Sequence, residues 1–354
     1  MSELNLATTT LSPYSVAIHL ENLLAKRDLT HEAATELMDA IGSGRVSAPG
    51  IAAVAIALRA KGESVTEIAA FARVMRSCAL SVNAPAGTLD TCGTGGDKSD
   101  TFNISTATAF VVAGMGIPVA KHGGRSISSR TGSADVLKAL GVNIDANPAC
   151  VERCIGAAGI GFMFAPNHHP AAKAVAPVRK ELGVRTIFNL LGPLSNPARA
   201  ELQLLGVFEP TLCRTFAEVL KVLGSRNAMV VCGTGPGGTG HLDEVSTFGP
   251  TTVARLSDGV VSVSDFDART LGIPAPARDA LHAADAESSA KIIRDVLNKK
   301  AGAARDIVLV NAAAAALVAG KANDWSAGLI IAAQSVDKGH ASEALNKLIT
   351  TTNS

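Results

Sequence analysis

Asp90-Thr91-Cys92-Gly93-Thr94-Gly95-Gly96-Asp97, followed by Lys98-Ser99-Asp100-Thr101-Phe102-Asn103-Ile104-Ser105-Thr106, is where the chain changes character. About ninety residues of amphipathic helix pattern precede it, and short apolar runs alternating with helical windows follow. Three glycines within four positions allow positive φ and let backbone N–H groups approach a ligand closely. A helix pattern opens directly afterwards, near Ser105, so its free N–H groups and positive dipole end lie beside the loop, an arrangement suited to phosphate. Alone, such a loop is more readily a tight strand-to-helix turn. The hydroxyls of Ser99, Thr101, Ser105 and Thr106 and the amide of Asn103 crowd the same place, and that density of donors points to an anion.

Composition narrows the class. At 354 residues the chain is long enough for two domains. It is 47% hydrophobic with one Trp and one Tyr, so its core is aliphatic. Basic and acidic residues number 32 and 31, leaving no global field to recruit nucleic acid or a membrane surface. The six cysteines form no CxxC pair and read as buried free thiols of a reducing compartment. The beginning of the chain has no basic segment followed by an apolar run, and no window is long enough for a membrane span. A soluble, cytoplasmic protein is expected.

Residues 15–80 read as four helices, with Val16, Ile18, Leu20, Leu23 and Leu24 near one face of the first. Thr30 and Ser47 are candidate N-caps, Gly62 a stop, and Ser64-Val65-Thr66-Glu67 a capping box. Residues 81–87 form the linker. Strand-like runs then appear at 89–92, 118–120, 161–164, 204–208 and 228–232, alternating with helical windows at 105–113, 133–140, 148–157 and 210–223. This predicts an α/β domain with a mainly parallel central sheet covered by helices, beside a small all-helical domain. The runs 252–256 and 260–263 around Ser257-Asp258-Gly259 read as an added hairpin, and 286–349 as helical.

Several further stretches carry chemistry. Lys121-His122-Gly123-Gly124-Arg125-Ser126-Ile127-Ser128-Ser129 follows the second short strand and should face the Gly93–Asp97 loop, because ligands of open α/β sheets bind beyond the strands' carboxyl ends. Its cations and small residues suit phosphate oxygens, although a basic surface turn reads the same way. Thr131-Gly132-Ser133 opens another helix. Asp243-Glu244 is either a solvated loop or a pair of Mg²⁺ ligands. His168-His169-Pro170 reads as a helix start, since adjacent histidines cannot both face one ion from a regular helix. Arg179 is either a surface cation or a carboxylate fork, and 189–197 is a rigid corner.

Together these stretches resemble the anthranilate phosphoribosyltransferase family. The likeness rests on Gly93-Thr-Gly-Gly-Asp97, Asn103-Ile-Ser-Thr106, Lys121-His-Gly123, Gly132-Ser-Ala-Asp135, Phe164-Ala-Pro-Asn-His-His169, Arg179-Lys-Glu-Leu-Gly183, Phe188-Asn-Leu-Leu-Gly-Pro-Leu194 and Leu242-Asp-Glu244, in family order across most of the chain. It implies a homodimer through the helical domain, with residues 1–84 helical, 168–190 returning to them, and 88–167 plus 191–354 forming the α/β domain. It implies phosphoribosyl pyrophosphate as donor and anthranilate as acceptor, a pentosyl transfer of tryptophan biosynthesis with Mg²⁺, two ions per subunit.

The resemblance also implies roles. Gly93, Gly96, Asp97, Thr101, Asn103, Ile104, Ser105, Thr106, Lys121, His122, Gly123, Gly124, Arg125, Ser126, Ile127, Ser128, Ser129 and Ser133 would surround the donor. Gly93, His122, Gly124 and Arg179 would meet anthranilate, while Ser105, Asp243 and Glu244 would carry the metal. No protein nucleophile is implied. Gly124 stands where the family usually has Asn, and His241 where it usually has Gly. A pyrimidine nucleoside phosphorylase shares the implied fold, but the Asp243-Glu244 pair and Asn103–Thr106 argue against it. A noncatalytic nucleic-acid-binding relative would want a basic, aromatic-bearing groove, which the charge balance disfavours.

Overall fold

The computed structural model describes residues 14–125 and 132–354. A helical N-terminal domain begins with α1 (Ala17–Leu24), α2 (His31–Gly42), α3 (Ala48–Lys61) and α4 (Val65–Ser77). Its local signals act as read. Thr30 accepts from the Ala33 N–H, Ser47 from the Gly50 N–H, and Gly62 ends α3 at a φ of 93°. One expectation fails in α1, where Leu23 is buried but Ile18 and Leu24 stand exposed. At 100° per residue, Leu24 and Ile18 point well away from Leu23, and eight residues are too few to bury two faces.

The capping box of α4 does more than end a helix. Glu67 is fully buried and accepts the N–H groups of Ser64 at 2.8 Å and Leu29 at 3.0 Å, while Lys61 lies 2.9 Å away. Those bonds tie α4 to the loop before α2 and to the end of α3. Glu67→Ala strands all three partners, so a loss of about 3–5 kcal/mol is expected. Urea unfolding read by far-UV circular dichroism checks it.

The α/β domain follows as β1 (Leu89–Gly93), α5 (Ile104–Gly114), β2 (Val119–Gly123), α6 (Ser133–Ala139), α7 (Pro148–Ala158) and β3 (Ile160–Phe164). Then come α8 (Ala165–His168), α9 (Ala172–Leu182) and α10 (Ile187–Leu190). Here α9 packs against α2 and α3, and α10 against α3. His168 closes α8 and His169 leaves the helix, so the pair sits at a helix end, not the expected start. The chain returns to the sheet with β4 (Leu202–Gly206), α11 (Thr211–Val222), β5 (Asn227–Thr234), β6 (His241–Leu242), β7 (Thr251–Ser257) and β8 (Val260–Phe266). It finishes with α12 (Ala286–Leu297), α13 (Ala303–Val318), α14 (Trp325–Asp337) and α15 (His340–Thr352).

The sheet order is β3-β2-β1-β4-β5-β7-β8, with β6 paired to β5. Strands β1 to β5 are parallel, and the hairpin β7–β8 adds antiparallel to β5. Alternate residues feed opposite faces, as a pleated strand requires. Leu204, Met229 and Val231 enter a core with α5 and α12 to α15, whereas Leu205, Val230 and Cys232 join α11 and the helical domain. The alanines of Asn311-Ala-Ala-Ala-Ala-Ala316 are buried in α13, which packs against α14 and α5. All six cysteines are free, and Cys78, at the end of α4, is exposed instead of buried as expected. Among the described residues no helix is long and apolar enough to cross a membrane.

The strand order fixes where a ligand fits. After β1 the chain winds outward through β2 and β3, then returns to the other side of β1 as β4. Loops leaving β1 and β4 therefore diverge, and a crevice opens at their carboxyl ends.

Candidate active site

Strands β1 and β4 end in register on Gly93 and Gly206. Both glycines are required by a third segment. A Cβ on Gly206 would lie 1.5 Å from the Asp243 carbonyl oxygen, and one on Gly93 would lie 2.3 Å from Asp243 Oδ2. The Asp243-Glu244 turn thus rests on the bare backbone of two strand ends. It arrives there because β6 pairs with the end of β5, Gly233 opposite Leu242. The Gly95 N–H donates to Asp243 Oδ2 at 2.7 Å, and the Asp243 N–H donates to Asp97 Oδ2 at 3.4 Å. The glycine loop and the acidic turn are one unit.

That unit forms one wall of a cavity of about 260 Å³. Of the residues named from sequence, Gly93, Gly96, Asp97, Thr101, Asn103, Ile104, Ser105, Lys121, His122, Gly123, Gly124, Arg125, Ser133, Arg179, Asp243 and Glu244 all line it. Thr106 does not: it is wholly buried in α5, and its N–H is taken by the Asn103 side chain at 3.2 Å. Ser126, Ile127, Ser128 and Ser129 lie outside the described residues.

Charge in the cavity is finely divided. Burial pushes Asp243 and Glu244 well above the usual carboxylate range; the neighbouring charge of Asp97 adds to this at Asp243, and that of Asp243 at Glu244. Across the floor, Lys121 is buried on β2 and donates to the Thr91 carbonyl at 2.5 Å and to Ser105 Oγ at 3.2 Å. Burial draws its pKa down, opposed by the charge of Asp90. Asp90, fully buried within β1, accepts the His122 N–H at 3.3 Å and the Asn196 amide at 2.7 Å. Burial raises it to about 6.

The opposite wall comes from α9, α10 and the turn after β2. Arg179 is drawn below the usual guanidinium range by burial, and its buried Nε has no hydrogen-bond partner among the described residues. His122 stacks edge-on against His169, Nε2 to Nε2 at 3.1 Å, and meets the Gly192 carbonyl through Nδ1 at 3.2 Å. Burial and the adjacent imidazoles hold His122 well below its usual range, so it is neutral near pH 7. In one cavity the cationic, donor-rich lining suits a polyanion, and a half-buried guanidinium together with a neutral imidazole suits a flat carboxylate.

Residues 19–79 match the helical bundle domain of a glycosyl transferase family, and residues 86–342 match its a/b domain. An anthranilate phosphoribosyltransferase of Polynucleobacter necessarius is 48% identical over 337 residues, covering 95% of this chain and 97% of that one. The chain belongs to the anthranilate phosphoribosyltransferase family. The crystal structure of the Thermus thermophilus family member superposes with a TM-score of 0.88 at 37% identity, covering 95% of this chain and 99% of that one. A Saccharomyces cerevisiae family member, in complex with PRPP and Mg, gives 0.85 at 26% identity, with 96% and 98% covered.

Within this family member, Asn189 and Ala283 also line the cavity, and neither was singled out from sequence. Asn189 lies in α10, in the corner read only as rigid; its Oδ1 caps the Thr186 N–H at 3.0 Å. Ala283 comes from the segment before α12, whose N–H bonds the Asp100 carbonyl at 3.1 Å. Nothing in its own sequence marks it.

Proposed function

We propose that this protein transfers the phosphoribosyl group of 5-phosphoribosyl 1-pyrophosphate to the amine of anthranilate, giving N-(5-phosphoribosyl)anthranilate and pyrophosphate in tryptophan biosynthesis. The observation that carries this is the Gly95–Asp243 bond, which joins a phosphate-type loop to an acidic turn in the same cavity as Arg179, whose Nε has no partner among the described residues. Gly93, Gly96, Asp97, Thr101, Asn103 and Lys121, with the loop through Arg125 and Ser133, bind the donor. Arg179 grips the acceptor carboxylate, with Gly93, His122 and Gly124 against the ring.

The acidic turn fits a hard divalent cation. Asp97, Asp243 and Glu244 are like charges in one wall, and two of them are raised by burial. Among the described residues no three His, Cys, Asp or Glu side chains form a ready-made metal centre. Mg²⁺ needs few protein ligands, because it keeps waters and shares substrate phosphate oxygens. Ser105, Asp243 and Glu244 would hold it, two ions per subunit, and when bound it offsets negative charge on the departing pyrophosphate.

The chain's own residues do the rest. The bond from ribose C1 to pyrophosphate oxygen breaks, its electron pair leaving with pyrophosphate, while the arylamine lone pair forms the new C1–N bond and one amine proton passes to the departing pyrophosphate or to water. Lys121, locked by its two acceptors, supplies fixed positive charge that needs no reorganisation. Arg179 aims a weak nucleophile by its carboxylate. A protein nucleophile is not required. Loss of anthranilate fluorescence on mixing with donor and Mg²⁺ tests the reading; unchanged fluorescence with intact protein refutes it.

We further assign residues 1–84 with 168–190 to a helical unit, and 88–167 with 191–354 to the donor-binding unit. The packing of α9 and α10 on α2 and α3 supports this. A homodimer through the helical unit is supported by Ile18 and Leu24 of α1 and Ile56 of α3, all exposed. Free thiols throughout suit a cytoplasmic enzyme.

Gly124 tests the acceptor end. Among the described residues a Cβ there would meet only Ala165 Cβ at 3.8 Å, an ordinary contact, and its backbone is not in the left-handed region. Gly124→Asn therefore fits and adds an amide beside the ring. Its KM for anthranilate is expected to fall about threefold to tenfold, the value of one added hydrogen bond, with the donor KM unchanged. Steady-state kinetics in both substrates checks this.

A further inference from the structure

Arg185 lies between α9 and α10, outside the cavity lining, and joins parts of the molecule distant in sequence. Its guanidinium stacks on the Phe208 ring, 3.7 Å from the centroid, beyond the end of β4. Its Nη2 donates to the carbonyl of Gly96. Its own carbonyl accepts from Arg59 of α3. The side chain is thus held by an aromatic face on one side and by a fixed backbone on the other, and it grips one peptide of the glycine loop.

The grip has a geometric consequence. Every peptide bond described is trans, and in a trans peptide the carbonyl and the next N–H point in opposite directions. Holding the Gly96 carbonyl on Arg185 therefore turns the Asp97 N–H away from the guanidinium. Gly96 and Asp97 both line the cavity, and that N–H has no partner among the described residues. Gly96 has a φ of 79°, so this peptide needs the left-handed conformation that glycine adopts freely, and a Cβ on it would crowd Arg185 Nη2.

We propose that Arg185 is a positioning residue for the leaving pyrophosphate: by fixing the Gly96–Asp97 peptide it presents the Asp97 N–H to a phosphate oxygen. This rests on the donor assignment above and adds a residue that does not itself touch substrate. Arg suits the task because its planar fork both stacks on Phe208 and donates, whereas a lysine ammonium cannot hold one orientation in the same way. Because Arg179 and Arg185 flank one short helix end, the segment that grips the acceptor also sets the donor loop.

The experiment measures binding of inorganic pyrophosphate with Mg²⁺ by calorimetry, and steady-state KM values for donor and acceptor, in Arg185→Gln, Arg185→Lys and Phe208→Leu. Arg185→Gln is expected to raise the pyrophosphate Kd and the donor KM together about tenfold, as for a lost charge-assisted bond, with the anthranilate KM within twofold. Arg185→Lys should recover only part, and Phe208→Leu should shift the same two quantities in the same direction. Equal falls in kcat with both KM values unchanged, or a lysine variant indistinguishable from the parent in pyrophosphate affinity, would overturn the orienting role. A parent that binds pyrophosphate but leaves anthranilate unconsumed overturns the acceptor assignment alone. A parent that binds no pyrophosphate overturns the donor assignment and this one together.

Discussion

Replacing Asp243 and Glu244 together by alanine is expected to reduce kcat by about a thousandfold or more, the scale of losing a preorganised electrostatic partner of the transition state. The fold should survive it. Both carboxylates are buried against each other's charge and that of Asp97, so their removal relieves repulsion instead of creating it. The Gly95 N–H loses its acceptor, a cost of about 1–3 kcal/mol that partly offsets the gain. Melting temperature is therefore expected to stay within a few degrees of the parent, since 1 kcal/mol moves a large domain by only about 2–4 °C. A Mg²⁺ titration of the double variant, beside chelator treatment of the parent, separates the two effects. Full turnover in the variant at any Mg²⁺ concentration would remove these residues from the metal site.

Arg179 carries the second large effect. Its guanidinium is half-buried, unpaired at Nε among the described residues, and depressed by burial, which is costly unless an anion completes it. Losing a charge-assisted contact to a carboxylate costs about 1.5–3 kcal/mol, or roughly tenfold to a hundredfold in affinity. Arg179→Ala is expected to raise the anthranilate KM by that factor and Arg179→Lys by less, with the donor KM nearly untouched. Lys180 is the control, because it is exposed and points about 100° away around α9. Comparable damage from Lys180→Ala, or a defect confined to the donor in Arg179→Ala, would exclude the carboxylate role.

Much of the architecture was legible because its signals are local. Ser64 and Glu67 announce a helix start within four residues, and Asp258-Gly259 supplies the turn of the β7–β8 hairpin at a φ of 52° and 73°. Strand β6, two residues long, has no period to detect and escaped notice. At the site the same division holds. The glycine loop follows β1, and Lys121, read as the first loop residue, is still within the carboxyl-terminal part of β2, so the sheet rule placed both at the strand ends. Gly206 could not be singled out, because its role arises only when β4 pairs in register with β1 and a turn far along the chain settles on both. Thr106 lies outside the cavity lining for the converse reason: within the motif it looks like a donor, but its helical position buries it and its N–H is already capped.

The packing of α9 and α10 on α2 and α3 bears on how the chain is made. A ribosome delivers α1 to α4 first, but the helices that cover their apolar faces, α9 and α10, begin only at Ala172, about a hundred residues beyond Ser77. At about 5–20 residues per second, the nascent N-terminal bundle waits on the order of ten seconds with Val54, Leu58 and Phe71 incompletely covered. Within that interval β1, β2 and β3 emerge, whereas β4, the neighbour of β1 that completes the crevice, does not. The two halves therefore mature together, and a chain truncated before α9 would be a target for chaperones instead of a free-standing helical module.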